Sequence, residues 1–351
     1  MLEAIVSLDA AKVILKISNQ VDETTMNDVR TRLDSDENSN SNDRPKAFII
    51  VLNWNGLRDT MACLESLRAV RYQNFHVIIV DNGSKGDDAN ILEEEYGDFA
   101  TVIRNDENKG FAEGNNVGIR RALQQSADYI LLLNNDAIVD PDFLDALIVE
   151  AESRPDVAIL GPMIYYYPPH GSGDGEIIWS AGGKFTRRIA QPFHIGLGEA
   201  DRGQFDGPRK VDYISGCALL IKREVVERIG LLDESYFAYF EDLDWNLKAL
   251  EAGYSVLLVP RARIWHKTSS SSVYMSPTYI YLNTRNRILF AKKHLSALDL
   301  FAFFLPFFMA MRFVRILSMT VTQGRDGVRA IIAGVLDGAY DRSGPPGNRK
   351  F

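Results

Sequence analysis

YILLLNND, residues 129–136, is a run of aromatic and aliphatic residues followed directly by three polar ones. A continuous apolar run of this length predicts a strand buried on both faces, as the strands of a parallel sheet are. Similar runs occur at residues 47–52 (AFIIVL) and 77–80 (VIIV), and helical patterns separate them. Strands that alternate with helices indicate a parallel sheet covered on both sides. The sequence therefore predicts an α/β fold with a mostly parallel central sheet flanked by helices.

Polar residues follow each of these predicted strands, at residues 53–56 (NWNG), 81–84 (DNGS) and 134–136 (NND). Each stretch by itself fits an ordinary turn, because Asn, Asp and Gly favour turns for backbone reasons. Ligands of an open parallel sheet bind outside the carboxyl ends of its strands, where all three stretches would lie. Three polar stretches at one sheet edge favour a binding site.

The sequence excludes two common ways of binding nucleotide phosphates. A dinucleotide-binding turn reads G-x-G-x-x-G after the first strand, where this chain has NWNG, and the P-loop sequence G-x-x-x-x-G-K-[ST] is absent. The alternative is a divalent cation, because Mg²⁺ binds through one or two carboxylates together with substrate phosphates. Asp136, with Asp81 nearby in the sheet, fits that role.

The composition limits the partners and the compartment. The formal net charge of −8 argues against a nucleic-acid partner held on a basic surface. Cys63 and Cys217 are the two cysteines, and their spacing matches no metal site, which suits a reducing compartment. Residues 1–20 do not read as a secretion signal, since Asp9 interrupts their apolar part. We expect a cytoplasmic protein.

Six motifs in order resemble family 2 of the inverting glycosyltransferases, within its rhamnosyltransferase-like branch. The motifs are IIVLNWNG (49–56), VIIVDNGS (77–84), NKGFAEGNN (108–116), LLLNND (131–136), YFEDLDW (239–245) and the region of His266. The resemblance implies a GT-A fold, a nucleotide-sugar donor such as dTDP-rhamnose, and a glycan or lipid-linked acceptor. It also implies a metal cofactor, Mg²⁺ or Mn²⁺.

The resemblance assigns donor-site roles to individual residues. Asp81 would contact the base or the ribose of the nucleotide, with Asn53 beside it. The residues assigned to the diphosphate and sugar side are Asn108, Lys109, Gly110 and Asn115, and Asn134 and Asn135 are also predicted to contact the donor.

The family's metal motif is an Asp-x-Asp variant, which in this chain reads Asn134-Asn135-Asp136. Asp136 supplies the single carboxylate, so the metal would have fewer protein ligands and weaker binding. A lone histidine is more often structural than a ligand, although imidazole is a common metal ligand. Because the family places a histidine near the metal and the diphosphate, His266 is the predicted second ligand.

The acidic cluster at residues 241–244 is the predicted source of the general base that removes the acceptor hydroxyl's proton. Acidic residues in a first helical turn are also stabilised by the helix dipole, so the spacing alone leaves both interpretations open. The cluster matches the family's Glu-Asp motif, whose Asp is the base. Residues two apart on a helix face nearly opposite ways, so Asp242 and Asp244 cannot both enter one site. We predict Asp242 as the base, supported by Glu241.

The motifs divide the chain into three predicted parts. Residues 1–45 form an N-terminal extension that ends in a polar, acidic linker (DSDENSNSND). Residues 46–290 form the GT-A domain, with 46–140 on the nucleotide-sugar side and 141–290 on the acceptor side. Residues 291–351 form a C-terminal helical segment.

Two local expectations complete the predicted structure. Residues 161–215 are rich in Gly, Pro and aromatic residues, which predicts hairpins and loops rather than long strands. Asn246 and Lys248 are predicted on the solvated face of the helix that begins near the acidic cluster.

The C-terminal segment contains the most apolar run, residues 300–311 (LFAFFLPFFMAM). This run contains Pro306 and falls short of the roughly 20 residues that span a bilayer. Basic residues lie on both sides of it, among them Arg287 and Arg312. Such a helix suits a membrane interface, here the inner face of the cell membrane, and equally suits burial in a homodimer or between domains.

Two other classes of protein are alternatives to a glycosyltransferase. A degenerate nucleotide-sugar-binding protein without transfer activity is compatible with the single carboxylate of NND, whereas the intact Glu241-Asp242 pair argues against it. A sugar nucleotidyltransferase would have a Gly-rich, basic loop after the first strand, where this chain reads NWNGLRD. The sequence leaves open the sugar, the base and the acceptor.

Overall fold

The computed structural model describes residues 44–167, 176–267, 276–322 and 324–347, without side chains at 319–322 and 324. The predicted N-terminal extension therefore lies, up to residue 43, outside the described residues.

The strands and helices alternate through the first half of the chain, as predicted. The strands are β1 (Ala47–Asn53), β2 (Phe75–Asp81), β3 (Ala100–Arg104), β4 (Tyr129–Asn134), β5 (Ala137–Val139), β6 (Val157–Tyr166), β7 (Ile178–Ser180), β8 (Gly183–Thr186), β9 (Gln191–His194), β10 (Arg209–Lys210), β11 (Ala218–Lys222) and β12 (Ser255–His266). The α-helices are α1 (Leu57–Arg68), α2 (Asp88–Tyr96), α3 (Gly110–Gln124), α4 (Phe143–Ser153), α5 (Arg223–Ile229), α6 (Glu241–Glu251), α7 (Pro277–His294), α8 (Leu305–Thr322) and α9 (Gly324–Ala339).

The central sheet has the strand order β10-β12-β6-β11-β4-β1-β2-β3, with β5 paired to β12 and β7 to β6. β1 runs parallel to both β2 and β4, and β2 runs parallel to β3. β11 lies antiparallel between β4 and β6, and it joins the first half of the chain to the second in one sheet. β8 and β9 form a separate hairpin.

The apolar strands are continuous because both faces of the sheet are covered. In β1, Ile49 and Val51 pack on one side with α1, α2 and α4. Phe48 and Ile50 pack on the other side with α3, α5 and α6. Burial of each such side chain contributes about 1.5–3 kcal/mol, so alternate residues stabilise opposite layers.

The prediction of loops from residue 161 was wrong for β6, which continues to Tyr166 and is buried along most of its length. Gly161 fits there because a Cβ atom would lie 2.3 Å from the Ile214 side chain. Pro162 lies opposite Val259, next to a shift in the register of β12. Proline is tolerated in a sheet at such irregularities, so neither residue ends the strand. The hairpin of β8 and β9 agrees with the prediction.

The C-terminal segment is helical, as predicted, but the prediction that its apolar part is too short to span a bilayer was wrong. Among the described residues, one helix is long and apolar enough by length and composition, Asp299–Ser318, with 20 residues and a mean hydropathy of 1.9. A π-helical turn at Asp299–Phe304 leads directly into α8. Pro306 directly follows this π-helical turn, and the helix continues through it.

Candidate active site

The carboxyl ends of β1, β2 and β4 meet at one edge of the sheet. Asn53 pairs in register with Asp81, and Leu52 pairs with Asn134. The polar residues that follow these strands are therefore spatial neighbours, at the edge where open parallel sheets bind ligands.

Asn53 is fully buried and connects the side chains at the nucleotide end of this edge. Its amide donates to Asp81 Oδ1 (2.8 Å) and Asp88 Oδ2 (3.0 Å), and its Oδ1 accepts from the Thr60 hydroxyl (2.8 Å). Ser84 donates to Asp81 through its hydroxyl (2.6 Å) and its N–H (3.2 Å). A carboxylate accepts about four hydrogen bonds, so Asp81 retains acceptor capacity for a ligand.

Thr60 extends this network to the metal motif. The Asn135 amide donates to the Thr60 hydroxyl at 2.9 Å. The N–H of Asn134 donates to the carbonyl of Cys217 at 2.8 Å. Asn134 and Asn135 therefore fix the turn that carries Asp136, and their direct contact with a donor stays a prediction.

The predicted diphosphate turn is held in place by Asn82 at the start of α3. The Asn82 amide donates to Asn108 Oδ1 and to the Gly110 carbonyl (3.0 Å each), and its Oδ1 accepts from the Lys109 N–H (3.1 Å). Gly110 has a φ of +80°, and a Cβ atom there would lie 2.3 Å from the Phe237 carbonyl oxygen. The turn therefore requires glycine at this position.

The first N–H groups of α3 are used within the protein. The Phe237 carbonyl accepts from Phe111 (2.6 Å) and Ala112 (3.2 Å), which satisfies donors that a helix start otherwise leaves free. Asn115 donates to the Phe111 carbonyl at 2.9 Å and is 2% exposed. The Asn115 side chain is therefore held within α3, and its direct contact with a donor stays a prediction.

Pairing of β5 with β12 brings Asp136 against His266. Ala137 lies opposite His266 in register, and the Lys267 N–H donates to the Asp136 carbonyl at 2.9 Å. His266 Nε2 lies 3.0 Å from Asp136 Oδ1. Burial alone would lower the pKa of His266, but Cys217 and Asp136 beside it outweigh burial and raise its pKa well above the ordinary value.

The Asp136–His266 pair fits two ligand positions of a divalent cation. Two ligand atoms at right angles, each about 2.1 Å from the ion, are about 3.0 Å apart, which is the separation of Oδ1 and Nε2 here. Imidazole and carboxylate both bind Mn²⁺, and carboxylate binds Mg²⁺. No cluster of three or more His, Cys, Asp or Glu side chains in the described part of the chain is placed to hold an ion.

The segment before α6, residues 236–240, has an uncommon backbone conformation and is called the aromatic loop below. The residues in it with positive φ are Phe237 (66°), Tyr239 (71°) and Phe240 (78°). Such conformations cost about 1–3 kcal/mol each and persist only where the surroundings enforce them. Asn286 of α7 donates to three carbonyls of the loop at 2.8 to 2.9 Å, and Arg285 donates to one of them at 2.9 Å.

Asp242 lies at the start of α6 and is partly exposed. Its carboxylate accepts from the N–H of Gly216 (2.8 Å) and from an N–H of its own helix (2.7 Å). Burial raises the pKa of Asp242, although these N–H groups act to lower it. Cys217 follows Gly216, and its carbonyl accepts the hydrogen bond from the Asn134 N–H described above. One turn therefore connects Asp242 to the strand end that carries Asp136.

The two neighbouring acids are buried in different surroundings. Glu241 is 4% exposed, and its Oε2 makes no hydrogen bond to the described residues. Burial raises the pKa of Glu241 well above its ordinary value. Asp244 lies 2.6 Å from His294 Nε2, 2.8 Å from Lys293 Nζ and 3.0 Å from Lys248 Nζ. Burial alone would raise the pKa of Asp244, but these groups outweigh it and lower the pKa to about 2.

A row of rings between His266 and Asp242 was missed by sequence reasoning. The Trp179 ring lies 4.8 Å from the His266 ring and 4.5 Å from the His194 ring, and His194 lies 5.8 Å from Tyr213. Burial and the nearby Asp242 raise the pKa of Tyr213. These residues come from an irregular stretch of sequence, where no periodic pattern marks them as a set.

His194 is held in this row by Ser180. The Ser180 hydroxyl lies 2.9 Å from His194 Nδ1 and 3.1 Å from the Gly182 carbonyl. Burial and the nearby His266 lower the pKa of His194 to about 4. The imidazole is therefore neutral near pH 7.

The prediction that Asn246 is solvated was wrong. Asn246 is fully buried and exchanges two hydrogen bonds with the backbone of Ile214, at 2.8 and 3.0 Å. It lies one helical turn after Asp242 and therefore faces the same way. Asn246 fixes the segment that leads to Gly216. Lys248 is partly exposed and pairs with Asp244.

The family described as "Glycosyl transferase family 2" matches residues 48–230 of this chain, which extend from β1 to α5. This is more than half of the chain, and the chain belongs to that family. It is similar to dTDP-rhamnosyl transferase RfbF of Shigella flexneri, with 24% identity over 264 residues that cover 70% of this chain and 80% of the relative. It is also similar to N-acetylglucosaminyl-diphospho-decaprenol L-rhamnosyltransferase of Mycobacterium tuberculosis, with 26% identity over 64% of this chain and 79% of the relative.

Solved structures have the same fold. S. aureus TarS 1–349 in complex with UDP-GlcNAc superposes with a TM-score of 0.54 and 15% identity, over 85% of this chain and 81% of that chain. The mannosyltransferase PcManGT from Pyrobaculum calidifontis, in complex with GDP-Man and Mn²⁺, superposes with a TM-score of 0.53 and 14% identity, over 86% of this chain and 88% of PcManGT. The predicted GT-A fold and rhamnosyltransferase-like family 2 membership are confirmed. The chain is a glycosyltransferase that uses a nucleotide sugar.

Proposed function

We propose that this glycosyltransferase is an inverting, metal-assisted enzyme with Asp242 as its general base. The observation that carries the proposal is the position of Asp242. It is the partly exposed acid of its cluster, and one turn connects it to the Asp136–His266 pair. Base and metal site would therefore lie at the same edge of the sheet.

The donor nucleotide would bind at the ends of β1 and β2, where Asp81 and Asn53 lie. The Asn108, Lys109 and Gly110 turn borders this end of the sheet through Asn82. A divalent ion, Mg²⁺ or Mn²⁺, would be held by Asp136 and His266 and would offset charge on the leaving diphosphate.

Asp242 would take the proton of the acceptor hydroxyl while that oxygen bonds to the anomeric carbon of the donor sugar. The bond from this carbon to the diphosphate oxygen breaks on the opposite face, and its electron pair leaves with the diphosphate. Direct displacement inverts the configuration at this carbon. The raised pKa of Asp242 supports the role, because a stronger base accepts the proton more readily.

The relatives suggest the donor and the acceptor. One is a dTDP-rhamnosyl transferase, and another is named for an N-acetylglucosaminyl-diphospho-decaprenol acceptor. We propose dTDP-rhamnose as the donor and a glycan, carried on a lipid at the inner face of the cell membrane, as the acceptor. The row of Trp179, His194 and Tyr213 would border the acceptor sugar, since it lies between His266 and Asp242.

Asp242→Asn tests the proposal, because Asn keeps the shape of Asp but cannot accept the proton. We expect transfer from dTDP-rhamnose, measured as dTDP release with a short-chain N-acetylglucosaminyl diphospholipid and Mn²⁺, to fall at least ~100-fold. Calorimetric affinity for dTDP should stay within about twofold. Asp98→Asn, whose side chain is 78% exposed, is the matched control.

Turnover of Asp242→Asn near that of the unaltered protein would remove Asp242 from the role of base. If the unaltered chain binds nucleotide sugars but neither transfers nor hydrolyses any of a donor panel, the degenerate binding protein is the better description.

A further inference from the structure

The outward face of the Asp299–Ser318 helix is apolar, and only 11% of this stretch is buried among the described residues. Its exposed large side chains are Phe301, Phe303, Phe307, Met309, Met311, Phe313, Val314 and Leu317. Phe313 is 63% exposed and Leu317 is 54% exposed. An apolar surface of this length is unusual for a soluble monomer and marks an interaction site.

The Asp299–Ser318 helix exposes apolar side chains, whereas an amphipathic helix of a soluble protein exposes polar ones. Phe304 and Phe308 are fully buried and pack into the core beside α7. Arg312 is one turn further along the same inward face, and its guanidinium lies 4.9 Å from the centre of the Phe308 ring. The arginine therefore faces the protein, while the apolar residues face outward.

The surroundings of this face are basic. No acidic residue occurs between Asp299 and Asp326, whereas Arg315 and Arg325 do, besides the inward-facing Arg312. On α9 and directly after it, residues spaced by three or four form an exposed stripe: Arg325, Arg329, Ile332, Leu336 and Tyr340. Apolar side chains bordered by arginine and tyrosine suit the interface of an anionic bilayer, whose phosphates attract the cations.

The helix does not cross a bilayer in this fold, because the chain returns to its starting side. α9 packs directly on α7, where a Cβ atom at Gly334 would lie 2.8 Å from Thr284 Cβ. The Tyr281 hydroxyl of α7 donates to Asp337 of α9 at 2.7 Å. Both ends of α8 therefore lie on the side of the globular domain, which leaves a position in the plane of the interface.

We propose that the outward face of Asp299–Ser318, with the exposed stripe of α9, is a membrane-docking surface for anionic lipid. Ile316 of α8 and Tyr239 of the aromatic loop pack against the same buried cluster, which α7 and α9 form. The docked surface therefore lies near the loop that leads into α6, the helix of the proposed base. Delivery of a lipid-borne acceptor to Asp242 rests on the proposed function, whereas docking itself does not.

Co-sedimentation of the full chain with phosphatidylcholine vesicles, with and without about one third phosphatidylglycerol, tests the docking surface. We expect binding to the anionic vesicles, weakened by salt. Leu317→Glu should lower the partition coefficient at least ~10-fold, because a charge replaces an apolar side chain that would be buried in the docked bilayer. Leu197→Glu is the matched control, since Leu197 is 52% exposed in a turn between β9 and β10.

Equal sedimentation of the unaltered chain and Leu317→Glu, with both folded by circular dichroism, would overturn the proposal. So would absence of vesicle binding together with a dimer that Leu317→Glu converts to a monomer, because a second copy would then cover the face. Vesicle binding is measured without donor or acceptor. Loss of docking with dTDP affinity intact therefore leaves the proposed transfer activity standing.

Discussion

At the scale of single residues, the acids of α6 differ because their surroundings differ. Glu241 has a buried oxygen with no hydrogen bond from the part of the chain that the structure describes, Asp242 accepts two backbone N–H groups, and Asp244 lies among three basic side chains. Burial without a partner favours the neutral carboxyl, whereas cations favour the carboxylate. Their order in the sequence does not reveal these roles.

Glu241→Gln is expected to change the pH dependence of stability. The folded-state pKa of Glu241 is raised, so above a pH of about 4.3 the unfolded chain loses a proton that the folded chain keeps. Folded stability then falls with rising pH, by at most about 1.4 kcal/mol per pH unit. Gln does not ionise, so the variant's free energy of unfolding, minus that of the unaltered protein, should increase from pH 5 to pH 8. Urea unfolding measures this difference, and a constant value across that range would contradict the prediction.

At the scale of elements, α7 determines the shape of the active site without contributing to it directly. Arg285 and Asn286 hold the aromatic loop in its positive-φ conformation, while Lys293 and His294 bind Asp244 of α6. The position of Asp242 therefore depends on a helix that follows it by more than thirty residues.

Asp244→Asn should destabilise the fold by about 1.5–3 kcal/mol, because it removes the buried carboxylate that accepts charge-assisted hydrogen bonds from partly exposed lysines. The folded-state pKa of Asp244 is lowered to about 2. Its contribution is therefore present above a pH of about 3.9 and is lost as the pH falls toward 2. Urea unfolding at pH 7 provides the measurement. Asp98→Asn, at an exposed pair with Arg68, should cost less than about 1 kcal/mol, and an equal loss in both variants would argue against the α6–α7 connection.

At the scale of the whole molecule, the site is assembled by the sheet. β4 and β12 lie on either side of β6 and β11, yet β5 pairs with β12 and carries the chain after Asp136 across to His266. The proposed metal site therefore joins the two halves of the sheet, and its occupation should stabilise the complete fold.

Thermal unfolding with dTDP and Mn²⁺ tests this coupling. A ligand that binds the folded state at a hundred times its Kd stabilises it by about 2.7 kcal/mol, and we expect EDTA to abolish the shift. His266→Ala should need a higher Mn²⁺ concentration for the same shift. His76→Ala, at the opposite end of β2, should behave like the unaltered chain. An identical Mn²⁺ titration in His266→Ala would remove His266 from the metal site.

Local patterns in the sequence determined the α/β class, the parallel strands and the polar residues that end them. Each of β1, β2 and β4 is an uninterrupted apolar run in the sequence, and parallel pairing brings the carboxyl ends of the three strands together. Such information is local, because burial on both faces leaves its mark on each strand separately. The motifs of family 2 added the expected base and metal residues.

Only the tertiary structure decided which side chains lie at the sheet edge and which are buried within the protein. Asn115 bonds within α3, Asn246 holds Ile214, and the ring row of Trp179, His194 and Tyr213 is assembled from separate segments. The length of the apolar C-terminal helix likewise depends on a helix continuing through Pro306. Burial and partner are properties of contacts between distant residues, and a linear pattern does not carry them.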